Sequence, residues 1–453
     1  MFFFAGLLHG FVPLGIYLGA IGAFLLSIFW KPEIGLYYLV PLLPMQTVRY
    51  WIHAFPLGEK IVDVLLLGVL IGLFFRAERP LFISSPLNKV LLVFVGFTYL
   101  SLWQGAFYLG TALPLDPADP RFSDWKNYVE MFFLFFIAAA AIRKPRQIAI
   151  MIALMCFSVL VVNRSYHGEV GDRDFSHYSD ELRDAGTLGY AGENGMGAFQ
   201  AEFAVFLLGL AGVIEKRYIK LGLWAIAVTC IYCLALTFSR GAYLGFLVGL
   251  LILGLTRQRK FLVVLAILLV SWQSFVPGAV RDRILMTYSD NQGLESSAQE
   301  RVTIWQDAET VIDHDPIFGT GFDTYKFMGR VGPYQDTHNY YIKVLLELGA
   351  VGMLIFLCLL GAAWRTSWRL YRAAEDPMLK ALGAAVLAMV ACAMVVNFFG
   401  DRWSYLQVNA FFWVLLGLAA RGYLLIPQAH TAPGAETSDL AVTAAETSGV
   451  FAA

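Results

Sequence analysis

The chain contains 453 residues, of which 58% are hydrophobic and 15% are charged, and its 33 Lys and Arg nearly balance its 34 Asp and Glu. Soluble domains typically carry ~25% charged residues and ~45–50% apolar residues. This composition therefore indicates a membrane protein with several spans, and it excludes a disordered chain, a collagen and a small disulfide scaffold. The balanced charge gives no support for nucleic-acid binding, which needs a basic excess.

Apolar runs long enough to cross a bilayer recur along the chain, and they predict an all-α polytopic membrane protein with about 12 transmembrane helices. The apolar run from Phe2 shows no clear signal-cleavage site, so we expect a retained span there. Prolines interrupt the first 50 residues, and one span in that region could be re-entrant. The candidate spans are 3–29, 33–50, 61–75, 87–108, 129–142, 147–163, 196–213, 218–238, 241–256, 261–275, 338–361, 380–398 and 404–420.

The Lys and Arg clusters fall on every second connection, which the positive-inside rule assigns to the cytoplasm. The other connections, including the long segment 276–337, would then face the periplasm. We expect residues 1–427 to form one transmembrane domain that includes 276–337 as a folded helical periplasmic loop. Residues 428–453 are rich in Ala, Thr, Ser and Glu, and they indicate a disordered cytoplasmic tail.

The long loop contains an amphipathic helix by its residue spacing. Val302, Trp305, Ala308 and Ile312 recur at helical intervals, and the dipeptide at 315–316, Asp-Pro, ends the pattern. This spacing predicts a helix that packs on the membrane domain.

Two arginines near the expected outer boundary are candidates for binding an anion. Arg240 lies between two apolar runs that leave no room for a solvated loop, and Gly241 permits a tight turn there. It either snorkels to lipid headgroups or holds an anionic substrate. Arg301 lies near the start of the loop helix, where it is either a solvated surface residue or part of a phosphate site at a helix N-terminus.

His338 follows the long loop and opens the next apolar helix, which Thr337 could cap. An imidazole at the mouth of the bundle can act as a general base near neutral pH, or it can bond a neighbouring carbonyl as a structural residue. No His pair has metal-ligand spacing, so we expect no metal site. All five cysteines lie in apolar runs, and Cys230 and Cys233 are expected to be small core residues on one helix face.

Three further charged residues are weaker candidates for substrate binding. Asp401 and Arg402 lie in a short turn between two apolar runs, where a local structural pair is the alternative. Arg164 is another cation at the expected outer boundary.

Together these candidates suit the transfer of a glycan from a polyprenyl pyrophosphate. The planar guanidinium binds phosphates bidentately and stays protonated, and a His can remove the proton of an attacking hydroxyl. Pyrophosphate is a good leaving group, so stabilising its charge is most of the catalytic task. The sequence places no carboxylate nucleophile clearly beside His338, which favours a single displacement that inverts the anomeric configuration.

Three motifs occur in order along the chain. They are TFSRGA at 237–242, Arg301 with Trp305 followed by PIFGTGF at 316–322, and HNYY at 338–341 followed by ELGAVG at 347–352. In this order, with a long loop before the third motif, the chain resembles the O-antigen ligase and O-antigen polymerase superfamily of bacterial envelope glycosyltransferases. The resemblance covers about residues 196–361.

The resemblance implies a C-type glycosyltransferase of the bacterial inner membrane with its active site facing the periplasm. It implies an undecaprenyl-pyrophosphate-linked glycan as donor, a lipid A-core or other glycan as acceptor, membrane lipids around it, and no metal or cofactor. By position, Arg240 and Arg301 would bind the donor and His338 would be catalytic. The single large loop before the His favours a ligase of lipopolysaccharide biosynthesis.

Two alternatives to a ligase remain, one within that superfamily and one outside it. A polymerase or a protein O-oligosaccharyltransferase shares the same motifs. A lipid-linked glycan transporter is less favoured, because the sequence shows no duplicated half and the candidate residues cluster at one membrane boundary.

Overall fold

The computed structural model describes residues 2–76, 82–256, 258–286, 288–289, 293–294, 296–331 and 336–426. Within these ranges the regular structure is helical apart from one antiparallel pair, Tyr288–Ser289 with Gly293–Leu294. The predicted all-α polytopic membrane fold is confirmed. The predicted tail at 428–453 lies outside the described residues.

The chain forms seventeen α-helices and four short 3₁₀ helices within the described residues. The α-helices are α1 Phe2–Phe29, α2 Glu33–Leu42, α3 Gln46–Trp51, α4 Ile61–Phe75, α5 Pro86–Tyr108, α6 Pro120–Ala141, α7 Pro145–Val170, α8 Gly192–Val213, α9 Arg217–Leu236, α10 Arg240–Leu255, α11 Lys260–Ser271, α12 Gly278–Leu285, α13 Ser296–His314, α14 Tyr325–Met328, α15 Tyr340–Ala373, α16 Pro377–Val396 and α17 Leu406–Leu424. The 3₁₀ helices are Asp180–Leu182, Gly186–Ala191, Trp272–Ser274 and Asn397–Phe399.

Seven helices of the described chain are long and apolar enough to span a membrane, or eight if one bent pair counts as a span. In that pair, Lys260–Ser274 and Gly278–Leu285 meet at 102°. The expected number of about twelve spans is not confirmed. The seven are Phe11–Phe29, Pro86–Tyr108, Pro145–Val170, Gly186–Val213, Arg217–Leu236, Tyr340–Ala373 and Pro377–Phe399.

The apolar run expected as a span at 33–50 does not form one long helix. It forms α2, of ten residues, and α3, of six residues, which are separated at Leu43–Met45. Pro41 lies in the last turn of α2 and Pro44 follows that helix, and proline removes a helical hydrogen bond and clashes with the preceding turn. This segment is therefore a broken region at one end of the bundle.

The centre of the bundle is formed by α8, α16 and α17, which are almost wholly buried. Small residues let these helices approach closely. A Cβ added at Gly209 of α8 would lie 2.7 Å from the Cα of Ala385 in α16. Helix association in a bilayer depends on such close packing, because lipid removes the hydrophobic driving force between helices.

Helix α15 is broken at Gly349, which has a φ of 65° and a ψ of −169°. Glycine adopts this backbone conformation readily, whereas other residues would be strained in it. The loop carrying the PIFGTG motif fills this break. Its Thr320 and Gly321 amides donate to the carbonyls of Leu346 and Glu347 at 3.0 and 2.8 Å. In return, the amides of residues 350 and 351 donate to the carbonyls of residues 316 and 317 at 2.9 and 3.1 Å. The two glycine-containing motifs thus satisfy each other's backbone polar groups.

Helix α13 packs on the membrane domain, as the spacing predicted. Its residues Ile304, Ala308 and Val311 are buried and pack with Tyr325 and Leu346. Trp305 and Ile312, two of the four residues predicted to face inward, are partly buried beside this cluster. The helix ends at His314, immediately before the dipeptide Asp-Pro that was expected to end it.

Candidate functional site

A strained turn positions Arg240 at the start of α10. Phe238 adopts a left-handed φ of 54°, although it is not a glycine, and its buried ring lies 5.3 Å from the ring of Tyr178. The expectation that Gly241 permits the turn was wrong. Gly241 is helical, and it is needed because a Cβ there would lie 2.5 Å from the Cβ of Phe399. Packing of a buried aromatic ring therefore holds the turn.

Arg301 is the centre of a group of arginines. Burial, followed by the positive charges of Arg402, Arg240, Arg183 and Arg283, lowers the pKa of Arg301 to about 10. Among the described residues Arg301 forms no ion pair with a carboxylate. We call these five residues the arginine cluster. Positive charges gathered around a buried guanidinium make the local electrostatic potential positive.

Arg301 lies in the second turn of α13, since that helix begins at Ser296. The expectation of a phosphate site built from the helix N-terminus together with this side chain therefore lacks support. The anion-binding character comes from the other arginines instead.

Two members of the arginine cluster, Arg183 and Arg283, were not among the candidates predicted from the sequence. Arg183 donates to the Asn194 side chain at 3.0 Å and lies 3.9 Å from Glu193. Arg283 lies over the ring of Tyr178, 4.6 Å from its centroid. Arg183 lies in the segment between α7 and α8, whereas Arg283 lies in α12, and neither belongs to a recognisable motif. Only tertiary structure brings them together.

His338 occupies a strained backbone position just before α15. Its φ is 51°, and its amide donates to Asp336 Oδ1 at 2.9 Å. Its imidazole Nδ1 lies 3.7 Å from Asp336 Oδ2. Burial lowers the pKa of His338; the charge of Asp336 opposes this shift, and Arg301 and Arg402 add to it. A neutral imidazole beside the arginine cluster suits proton acceptance at neutral pH.

Asn339, and not Thr337, caps α15. The Asn339 side chain accepts hydrogen bonds from the amides of Tyr341 and Ile342 at 3.0 and 3.2 Å. Thr337 instead donates its hydroxyl to the carbonyl of Asn339 at 2.8 Å. Strained non-glycine residues persist where the surroundings over-determine them, and this cap holds the residue after His338 in place.

Asp401 and Arg402 do not pair with each other in the described structure. Asp401 is buried and pairs with Lys343 at 3.1 Å, and it accepts hydrogen bonds from the Ser404 amide and hydroxyl. Arg402 is also buried, but it belongs to the arginine cluster, and its amide donates to Asn397. The turn therefore separates its two charges between two environments.

Lys343 and Glu347, on the first two turns of α15, fix the turn after the PIFGTGF motif. Lys343 Nζ lies 3.5 Å from Asp323 as well as 3.1 Å from Asp401. Glu347 accepts the amide hydrogens of Asp323 and Tyr325 at 3.0 and 3.3 Å. The motif at 347–352 thus positions the loop that carries the second motif.

Arg164 does not join the arginine cluster by any contact recorded between described residues. It lies inside α7, exposed, along an apolar groove formed with Phe157, Leu160 and Val161. It is six residues from the end of that helix, and not in the boundary turn expected for it.

A cavity of about 1030 Å³ with many charged side chains in its lining adjoins the site. Asp336 and Asp401 line it. Asp336 lies two residues before His338, and Asp401 immediately precedes Arg402 of the arginine cluster. The remaining walls come from α3, α4, α6, the connections at 53–60 and 117, Tyr190, the turn at 322–326, Lys343 and the segment 404–407. Within the described residues, no group of three His, Cys, Asp or Glu could hold a metal ion.

This combination of features defines a class, namely a polytopic helical membrane protein with a cluster of arginines and, beside it, a His whose pKa is lowered by burial. Residues 225–357 match the family model described as O-antigen ligase. The match includes Arg240, Arg301 and His338, whereas Asp401 and Arg402 lie beyond it. The resemblance to the O-antigen ligase superfamily is confirmed.

Curated relatives include three rickettsial proteins, each with the provisional name of polysaccharide ligase. The protein of Rickettsia conorii is 24% identical over 206 residues, which cover 42% of this chain and 48% of that protein. The protein of Rickettsia felis is 28% identical over 148 residues, and that of Rickettsia prowazekii is 27% identical over 152 residues. Each of these two matches covers 29% of this chain and 36% of the relative. The chain thus spans about half or less of the length of the curated relatives it matches.

Proposed function

We propose that the protein is an O-antigen ligase of the bacterial inner membrane. It transfers a glycan from undecaprenyl pyrophosphate to a hydroxyl of a lipid A-core acceptor on the periplasmic side. The superfamily resemblance supports a ligase-type glycosyltransferase, and the site supports the anionic, lipid-linked donor. The reaction needs no metal or cofactor in this proposal, because arginines neutralise the leaving group.

The observation that carries the proposal is the environment of Arg301. Four other arginines lie close enough to lower its pKa to about 10, after the effect of burial. Bringing like charges together is unfavourable unless an anion offsets them. A pyrophosphate supplies charge and several acceptor oxygens for bidentate guanidinium contacts. Arg240 and Arg301 therefore hold the donor, with Arg183, Arg283 and Arg402 adding to the local positive potential.

His338 acts as the general base in this proposal. The acceptor hydroxyl attacks the anomeric carbon, its proton passes to the neutral imidazole, and the C–O bond to pyrophosphate breaks. The leaving pyrophosphate keeps the electron pair of that bond and remains on the arginine cluster. Asp336 orients the segment through its hydrogen bond from the His338 amide at 2.9 Å.

The test measures binding of undecaprenyl pyrophosphate and glycan transfer with purified protein. Arg301→Ala and Arg240→Lys should each weaken donor binding by about tenfold or more, because charge-assisted hydrogen bonds contribute ~1.5–3 kcal/mol. Arg369→Ala is the matched control, since Arg369 is exposed on the C-terminal half of α15. Donor affinity equal to wild type in both cluster variants would remove the pyrophosphate-binding role.

The acceptor separates a ligase from the related activities. Transfer to purified lipid A-core is expected for a ligase. Transfer to a second lipid-linked glycan would identify a polymerase, and transfer to a peptide would identify a protein O-oligosaccharyltransferase. No transfer to lipid A-core, with transfer to either of the others, would overturn the ligase assignment.

A further inference from the structure

The cavity beside the arginine cluster has the walls of a carbohydrate site. Its volume of about 1030 Å³ lies at the upper end of the range of ~300–1,000 Å³ that is usual for ligand pockets. Aromatic side chains line it, including Tyr50, Tyr190 and Tyr405. The rings of Tyr50 and Tyr190 lie edge to face, 6.0 Å apart. Tyr rings offer apolar faces to sugar C–H groups and a hydroxyl at the edge.

The charges of the cavity are arranged differently from those of the arginine cluster. Its lining contains five Lys or Arg and seven Asp or Glu, so it does not attract anions. Three of its four lysines are already paired with carboxylates. Lys126 contacts Asp63 at 2.5 Å and Glu130 at 3.2 Å. Two further lysine–carboxylate groups, Lys326 with Asp124 and Lys343 with Asp323 and Asp401, complete the pairing.

Paired charges of this kind suit hydroxyl groups. Each carboxylate keeps unused acceptor positions after it has bound one ammonium group, and each ammonium has three donors. Asp63 illustrates this, because its side chain stays 36% exposed while it pairs with Lys126. A sugar hydroxyl is both donor and acceptor, so it can satisfy either type of group.

We propose that this cavity binds the acceptor saccharide. The part of the saccharide that contacts the cavity is rich in hydroxyl groups and carries no phosphate. The inference rests on the proposed glycan transfer and deepens it. The cavity meets the reacting groups at two points, through Asp336 beside His338 and through Asp401 beside Arg402. A sugar in the cavity can therefore extend a hydroxyl towards His338, while the donor pyrophosphate lies on the arginine cluster.

Two features favour the acceptor over the donor as the occupant. None of the five cluster arginines lines the cavity, and its seven Asp or Glu outnumber its five Lys or Arg, which disfavours a pyrophosphate there. Charged side chains are spread over several of its walls, so a polyprenyl chain in it would lie against charged groups. The donor glycan is the remaining source of similar chemistry, and the experiment separates the two.

The test uses the full chain in detergent micelles and three probes. They are fluorescently labelled core oligosaccharide freed of lipid A, undecaprenyl pyrophosphate, and undecaprenyl pyrophosphate that carries its glycan. Tyr190→Ala and Asp124→Ala alter the cavity at exposed or half-exposed positions, where folding should be unaffected. Tyr218→Ala is the matched control, since both tyrosines are 73% exposed and Tyr218 lies outside the cavity.

The expected result is a loss of oligosaccharide affinity of about tenfold in each cavity variant, with the affinity for both lipid-linked probes unchanged. Tyr218→Ala should bind all three probes as wild type does. Unchanged oligosaccharide affinity in the cavity variants would overturn the inference. Selective loss of affinity for the glycan-carrying lipid would overturn it too, by assigning the cavity to the donor. If wild type binds oligosaccharide in the cavity but transfers nothing, the proposed function fails and the saccharide site stands.

Discussion

Trp305 donates its indole N–H to the backbone carbonyl of Thr337 at 2.9 Å. This bond joins the docked loop helix to the residue immediately before His338. Because Arg301 lies one turn earlier on the same helix, the contact sets the position of the arginine cluster relative to the base. The loop helix is therefore part of the site and not only a cover for it.

Removal of this hydrogen bond should loosen the site while leaving the bundle folded. Trp305→Phe keeps an aromatic ring but cannot donate, and a hydrogen bond of this kind contributes ~0.5–1.5 kcal/mol. We expect glycan transfer to fall by about two- to tenfold, with normal expression. Trp368→Phe, at an exposed position of α15, should change nothing. Transfer by Trp305→Phe at the wild-type rate would contradict the coupling of the loop helix to the site.

The pH profile should report the environment of His338. Burial and the nearby arginines lower its pKa from 6.5, and the base must be neutral, so activity persists below pH 6.5 and is lost as the pH falls through the lowered pKa. Bound pyrophosphate offsets the arginine charges and should raise this pKa. The acid limb of kcat should therefore lie at higher pH than that of kcat/KM, which reports the free enzyme. An acid limb of kcat/KM above pH 6.5 would argue against this environment.

The product should carry an inverted anomeric configuration. A single displacement with His338 as base inverts, whereas a covalent glycosyl-enzyme would retain the configuration. NMR of the donor and product linkages measures this directly, and a retained linkage would exclude the one-step mechanism.

Substitutions of His338 test the base separately from the stereochemistry. General-base assistance contributes ~10²–10⁴ in rate, so His338→Ala should lose most transfer yet still bind undecaprenyl pyrophosphate. His338→Gln keeps a hydrogen-bonding group without proton transfer and should be nearly as impaired. Substantial transfer by His338→Ala would rule out the assignment.

The helix break at Gly349 should tolerate no side chain. Its backbone angles cost roughly 1–3 kcal/mol for other residues, and a Cβ would lie 2.3 Å from the carbonyl oxygen of Ile317. Gly349→Ala should therefore lower the Tm in detergent and reduce transfer. Gly361→Ala is the control on the same helix, where a Cβ meets nothing within 4 Å and alanine favours the helix by ~1 kcal/mol. Equal Tm values for the two variants would contradict a structural role for the break.

Several features of this protein follow from the sequence alone. An apolar fraction of 58% with 15% charge indicates a membrane-embedded chain, and apolar runs long enough to cross a bilayer as helices favour the helical fold. The helical spacing around Trp305 and the Asp-Pro dipeptide locate the loop helix, since periodicity and proline act locally. The three ordered motifs point to Arg240, Arg301 and His338 because each has a distinctive local setting.

Tertiary structure alone decides how those residues meet. Arg183 comes from the segment between α7 and α8 and Arg283 from α12, and no local pattern distinguishes them from solvated arginines. The left-handed conformations of Phe238 and His338 are imposed by packing and capping, against the intrinsic preference of non-glycine residues. The sequence suggested a local ion pair in the turn at 401–402. In the structure Asp401 instead forms an ion pair with buried Lys343, and Arg402 belongs to the arginine cluster. Charge partners between distant segments depend on three-dimensional distance, which sequence spacing does not contain.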